Sequence, residues 1–62
     1  MCDLKAYVRK DQNETLILES VNYVKAENGE VHVRNLFGEE KTVRGEVREV
    51  SLVKSRLVIE QP

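Results

Sequence analysis

The chain has no tryptophan, a single cysteine, one proline, three glycines and three aromatic residues among its 62 positions. Each shortage excludes something. One cysteine forbids an intramolecular disulfide, and no closed set of zinc-ligand spacings is present. Gly29, Gly38 and Gly45 are spaced as turn residues, which excludes a glycine-rich phosphate loop. Tyr7, Tyr23 and Phe37 are too few and too scattered for a base-stacking platform. Uncharged runs are only a few residues long, so no segment can cross a bilayer as a helix. Neither sign of charge dominates. Ten basic and eleven acidic residues interleave to a net charge of −1, without the basic stripe that phosphate neutralisation demands of a nucleic-acid binder.

Size sets the next constraint. A chain of about 60 residues buries only ~60% of its unfolded surface, so its core is thin and it usually needs a staple. With disulfides and structural zinc excluded, oligomerisation is the staple left, and a homodimer is expected. We read residues 1–62 as one small domain. The lone thiol and the lack of a leader-like segment lead us to expect a cytoplasmic protein.

The pattern along the chain is β throughout. Leu4 to Arg9 alternates, with Leu4, Ala6 and Val8 on one face. Asp11-Gln12-Asn13 reads as a polar turn, and Glu14 to Ser20 as a second strand with Leu16 and Leu18 inward. Val21-Asn22-Tyr23-Val24 breaks the alternation, which predicts a bend or bulge near Ser20 to Asn22. Asn28-Gly29 predicts a two-residue hairpin, because both residues tolerate the positive φ of a type I′ turn. Val31 and Val33 face inward on the return strand, with His32 outward between them. Leu36 to Glu39 turns the chain, and Phe37 reads as a plug for the core at that turn. A short strand runs from Lys41 to Arg44. Val47 to Val53 and Arg56 to Glu60 make the last pair, with Val50, Leu52, Leu57 and Ile59 as core candidates. No apolar spacing of three and four persists over a helical length. The expected fold is therefore all-β: a small barrel-like, SH3/Sm-like domain of five to seven short, mainly antiparallel strands.

Cys2 is the residue on which the chemistry turns. A thiolate beside the amino terminus offers sulfur and nitrogen donors without a folded pocket. One such end supplies half of a four-coordinate site, and a two-fold dimer supplies the other half. Nitrogen and thiolate donors in a square plane suit Ni(II) or Cu(II), while a tetrahedral set suits Zn(II). The plainer alternative is an inert thiol, since a free cysteine is usually a small hydrophobe. Asp3 either adds an oxygen donor or sets local charge. His32, as an exposed strand histidine, is either a ligand or simply surface. A Cys2–His32 nucleophile would need an orienting third group and a substrate pocket, and a thin core leaves little room for one. The carboxylates read as solvated surface. The expected protein is not an enzyme.

The opening Met1-Cys2, the extended segment through Val8, the strand from Val21, Asn28-Gly29, the Leu36-Phe37-Gly38-Glu39-Glu40 block and the closing Leu57-Val58-Ile59 together resemble the CooT family. The likeness runs across essentially the whole chain, and Met-Cys and Leu-Phe-Gly-Glu-Glu are its most specific parts. That resemblance implies a homodimeric metallochaperone that binds one Ni(II) through Cys2. It also implies a role in delivering nickel to carbon monoxide dehydrogenase, with that enzyme or its maturation factors as partners. Proteins of the family are also often labelled RNA-binding. The alternative reading is a small barrel that binds RNA or serves as a structural interaction module.

Overall fold

The computed structural model describes residues 3–62, and among these the chain forms seven strands and no helix. They are β1 (Lys5–Lys10), β2 (Asn13–Leu18), β3 (Val21–Glu27), β4 (Glu30–Asn35), β5 (Glu40–Arg44), β6 (Glu46–Ser51) and β7 (Arg56–Glu60). Two sheets result, one ordered β2-β1-β7-β6 and the other β3-β4-β5. The all-β expectation is met, but the sheets do not close into a continuous barrel. All strand pairs are antiparallel except β1 with β7, which run parallel side by side.

Local chemistry places the turns. Asn28 and Gly29 have φ of 53° and 76°, the left-handed pair that a type I′ hairpin requires. Asp11 and Gln12 adopt the same sign, at 52° and 71°, and join β1 to β2. Asn22 has no partner in the β3–β4 register, which passes from Val21↔Asn35 to Tyr23↔Arg34. That bulge lies where the broken alternation predicted it.

The core gathers Ala6, Leu18, Val21, Val31, Val33, Leu57 and Ile59 from both sheets. Leu4, Ile17 and Val43 pack against it. Fully burying one such aliphatic side chain stabilises the fold by roughly 1.5–3 kcal/mol, so β4 and β7 contribute heavily. On the outer face of the larger sheet, Arg56 spans three strands. Its guanidinium donates to Glu14 Oε1 at 2.7 Å and lies 4.8 Å from the centre of the Tyr7 ring. The hydrogen bond to Glu14 raises its pKa above an already high value, so it is charged at any working pH.

Four expected core residues are corrected. Phe37 is 77% exposed, so it does not plug the core. Leu52 is 80% exposed and Val50 55%, because β6 is an edge strand and Leu52 has already entered the turn beyond it. β6 also carries a bulge at Arg48, where the register moves from Val47↔Ile59 to Glu49↔Val58. Leu16 is likewise exposed. The β1–β2 register passes from Ala6↔Leu18 to Tyr7↔Leu16, leaving Ile17 as the extra residue. A bulge breaks the period of two, so Ile17 turns toward the core in place of Leu16.

Candidate functional site

Cys2, the residue expected to hold metal, lies outside the described residues. The chain from Leu4 onward is anchored by the backbone. Val21 N–H donates to Leu4 C=O at 2.8 Å, and Lys5 N–H donates to Ser55 C=O at 3.0 Å. Leu36 N–H donates to Ser20 C=O at 3.0 Å. These three bonds bring one end of the fold together: the start of β1, the β2–β3 corner, the β4–β5 turn and the β6–β7 turn. Lys5 pairs with Asp3 at 3.7 Å on an exposed surface, an ion pair of little energetic weight. Asp3 thereby has a local charge partner.

The Leu-Phe-Gly-Glu block at this end has a definite architect, Asn35. It is the buried polar side chain of the fold among the described residues. Its Oδ1 accepts from the N–H groups of Phe37 and Glu39 at 3.0 and 2.9 Å, and its Nδ2 donates to Glu39 Oε1 at 2.7 Å. The Asn35 N–H donates to Glu39 C=O at 3.0 Å, and Gly38 N–H donates back to Asn35 C=O at 3.2 Å. An asparagine side chain that satisfies nearby backbone groups substitutes for a ladder and stiffens a turn. The consequence is that Leu36 and Phe37 are held outward at the tip. Sequence reasoning missed Asn35. Its signal was present, since asparagine two and four residues before the groups it captures is the signature of a side-chain-closed turn.

His32 faces away from the core as expected, but it is half-covered. Its Nε2 lies 2.9 Å from Glu40 Oε1 and its Nδ1 2.7 Å from Thr42 Oγ1. A carboxylate can only accept, so Nε2 carries the proton, and in the neutral ring Nδ1 accepts from the threonine hydroxyl. Tyr23 meets the imidazole edge-on at 6.3 Å between ring centres, and Arg34 lies 5.1 Å from the Tyr23 ring centre. Both ring nitrogens are engaged within the sheet, so this histidine is a surface-network residue. Among the described residues no three His, Cys, Asp or Glu side chains are grouped to hold a metal ion.

A cavity of about 610 Å³ lies at the opposite end, lined by Asn28, Glu30, Arg44, Glu46, Glu60 and neighbouring residues. It contains no nucleophile and no histidine. Elsewhere, cations sit with carboxylates: Arg48 with Glu60 at 3.3 Å, Lys25 with Glu27 at 3.2 Å, and Arg56 with Glu14.

Residues 1–60 match the family described as CO dehydrogenase accessory protein CooT. The chain belongs to the CooT family. Membership implies an accessory role toward CO dehydrogenase. The fold is similar to a crystal structure described as that of a candidate CooT from Carboxydothermus hydrogenoformans. The TM-score is 0.86 at 24% sequence identity, over 98% of each chain. At that identity the likeness speaks for the shared fold. No curated protein matches this sequence.

Proposed function

We propose that this CooT-family chain is a nickel-binding accessory protein. In this reading it takes Ni(II) as cargo through Cys2 at a homodimer interface and aids delivery to CO dehydrogenase. What carries the proposal is the family match across residues 1–60, joined to the position of Cys2 in the sequence, with only Asp3 between it and the anchored Leu4. The described residues of one chain offer no ligand cluster, and His32 is already engaged on both nitrogens. One thiolate with its neighbouring nitrogen donors is half a site, so a second chain completes it. Two thiolates balance the charge of the dication. Thiolate and nitrogen donors discriminate against magnesium and manganese, although copper binds more tightly by intrinsic order.

The protein is not catalytic in this reading, and its partners are a second copy of itself and the CO dehydrogenase system. Its place of work is the reducing cytoplasm, where the thiols stay free. Titration of the reduced protein with Ni(II) tests the proposal. One nickel per dimer is expected, with thiolate-to-metal charge-transfer absorption that disappears in Cys2→Ser. Protons compete for the thiolate, so affinity should weaken as pH falls. Tight stoichiometric binding retained in Cys2→Ala would sink the reading.

A further inference from the structure

Two surface features stand at the end of the fold that holds the start of β1. One is a groove of about 460 Å³ between the end of β2 and the β4–β5 turn. Its apolar lining is Leu16, Ile17, Leu18 and Phe37, and its charged lining is Glu19, Glu39 and Lys41. The Asn35 hydrogen bonds keep the Phe37 side of this groove in place. The other feature is the β6–β7 turn, where Leu52 and Val53 are 80% and 97% exposed and Lys54 follows them. This tip is fixed on both sides. Lys54 N–H donates to Ser51 Oγ at 3.1 Å, and Ser55 C=O accepts from Lys5 N–H at 3.0 Å.

The two features are complementary in chemistry. An apolar pair followed by an ammonium group matches a groove of mixed lining, in which aliphatic and aromatic side chains stand beside two carboxylates and one ammonium. Among the described residues no salt bridge engages Glu19 or Lys54. We propose that the groove receives the tip of a second copy of this chain. Leu52 and Val53 of one copy then seat against Leu16, Ile17 and Phe37 of the other, with Lys54 beside Glu19. Because each chain carries both features, a two-fold axis repeats the contact and leaves neither exposed. It supplies the apolar burial that a chain this small lacks on its own. Since Ser55 is bonded to Lys5, the same contact lies beside the start of β1. The inference rests on the dimeric part of the nickel reading and specifies the surfaces that meet, but the contact itself needs no metal.

Sedimentation velocity of the metal-free, reduced full chain over a concentration series tests it. A dimer is expected, and Val53→Asp and Phe37→Ala should each raise its dissociation constant about tenfold or more, as for central apolar anchors. Both residues are exposed, so circular dichroism should show an unaltered fold. Glu19→Lys and Lys54→Glu should each weaken the dimer, and the double variant should recover most of the loss. A metal-free monomer throughout, open-ended association, or a dimer indifferent to Val53→Asp and Phe37→Ala would overturn the contact. A groove filled by a different protein's segment would appear as such a monomer. The nickel reading fails separately. Loss of nickel binding in a Cys2→Ala dimer supports both proposals, whereas retained nickel binding in that dimer rejects the metal reading alone. Cys2-dependent nickel binding by a monomer rejects this contact and the shared-site part of the nickel reading, and leaves Cys2 as the ligand.

Discussion

At the end of the fold that gathers Leu4, Ser20 and Ser55, the exposed side chains include Leu36, Phe37, Leu52 and Val53, whereas the opposite end presents Asn28, Glu30, Arg44 and Glu46. The polar end is locked from within. Gly45 joins β5 to β6 there, its N–H donating to Gly29 C=O at 2.9 Å, and its φ is +144°. A Cβ at this position would lie 2.3 Å from the Glu60 carbonyl oxygen and 3.2 Å from Ile59 Cγ2. The apolar end is locked too, by Asn35, but there the rigidity holds hydrophobic groups out in water. Rigidity at the polar end shapes the monomer. At the apolar end it shapes a surface.

Breaking the polar end should therefore cost the most. Gly45→Ala forces either the β5–β6 corner or the end of β7 to move. We expect a loss of about 3 kcal/mol or more, combining a φ that side chains rarely adopt with a backbone clash. Urea unfolding would measure it, and a loss under about 1 kcal/mol would mean that the corner is soft. Ile59→Ala, one residue before that carbonyl and fully buried, should cost ~2–5 kcal/mol through its cavity.

Asn35→Ala should come next. It removes three hydrogen bonds, and the N–H groups of Phe37 and Glu39 lose their acceptor, for an expected cost of about 1–3 kcal/mol. This variant sharpens the comparison, because its damage should be local. Amide exchange should quicken at residues 36–39 more than in the β3–β4 hairpin, and uniform acceleration would show that the turn supports the whole sheet.

Leu52→Ala should have the smallest effect on the monomer, within about 0.5 kcal/mol, as for a surface change. The same substitution deep in the core would cost several times more. Its effect should appear instead as a changed dependence of unfolding on protein concentration, since association stabilises by mass action. Cys2→Ala should likewise leave apo stability within about 0.5 kcal/mol while removing nickel binding. Unfolding of the apoprotein by that change would identify the thiol as structural.

Much of the fold was legible because it rests on local signals. Asn28-Gly29 demanded its hairpin, and alternation placed Val31, Val33, Leu57 and Ile59 inside and His32 outside. The broken alternation at Val21-Asn22 located one bulge. The bulges at Ile17 and Arg48 went unread, since each is an extra residue defined only by the strand lying opposite. That is why Leu16 and Val50 were placed in the core and are not. Phe37 failed for a different reason. Hydrophobicity argues for burial, but three hydrogen bonds from one buried asparagine outweigh it by fixing the turn's direction. The candidate metal residue was readable only as a residue type at a position, because Cys2 has no ligand spacing around it to test.

By itself the sequence determined an all-β chain, its Asn28-Gly29 hairpin and its family, since period-two alternation, turn chemistry and the Met-Cys and Leu-Phe-Gly-Glu-Glu blocks are local properties of the string. Tertiary structure decided which alternating face becomes core, because bulges shift register and register depends on the neighbouring strand. It also decided that β1 and β7 lie parallel, although Lys5 and Ser55, the pair whose backbone bond starts that pairing at 3.0 Å, are 50 positions apart in the sequence. No local signal encodes a contact over that separation. The pairing lets Ala6, Leu57 and Ile59 be buried together, and it sets the exposed Leu52-Val53 turn beside the start of β1.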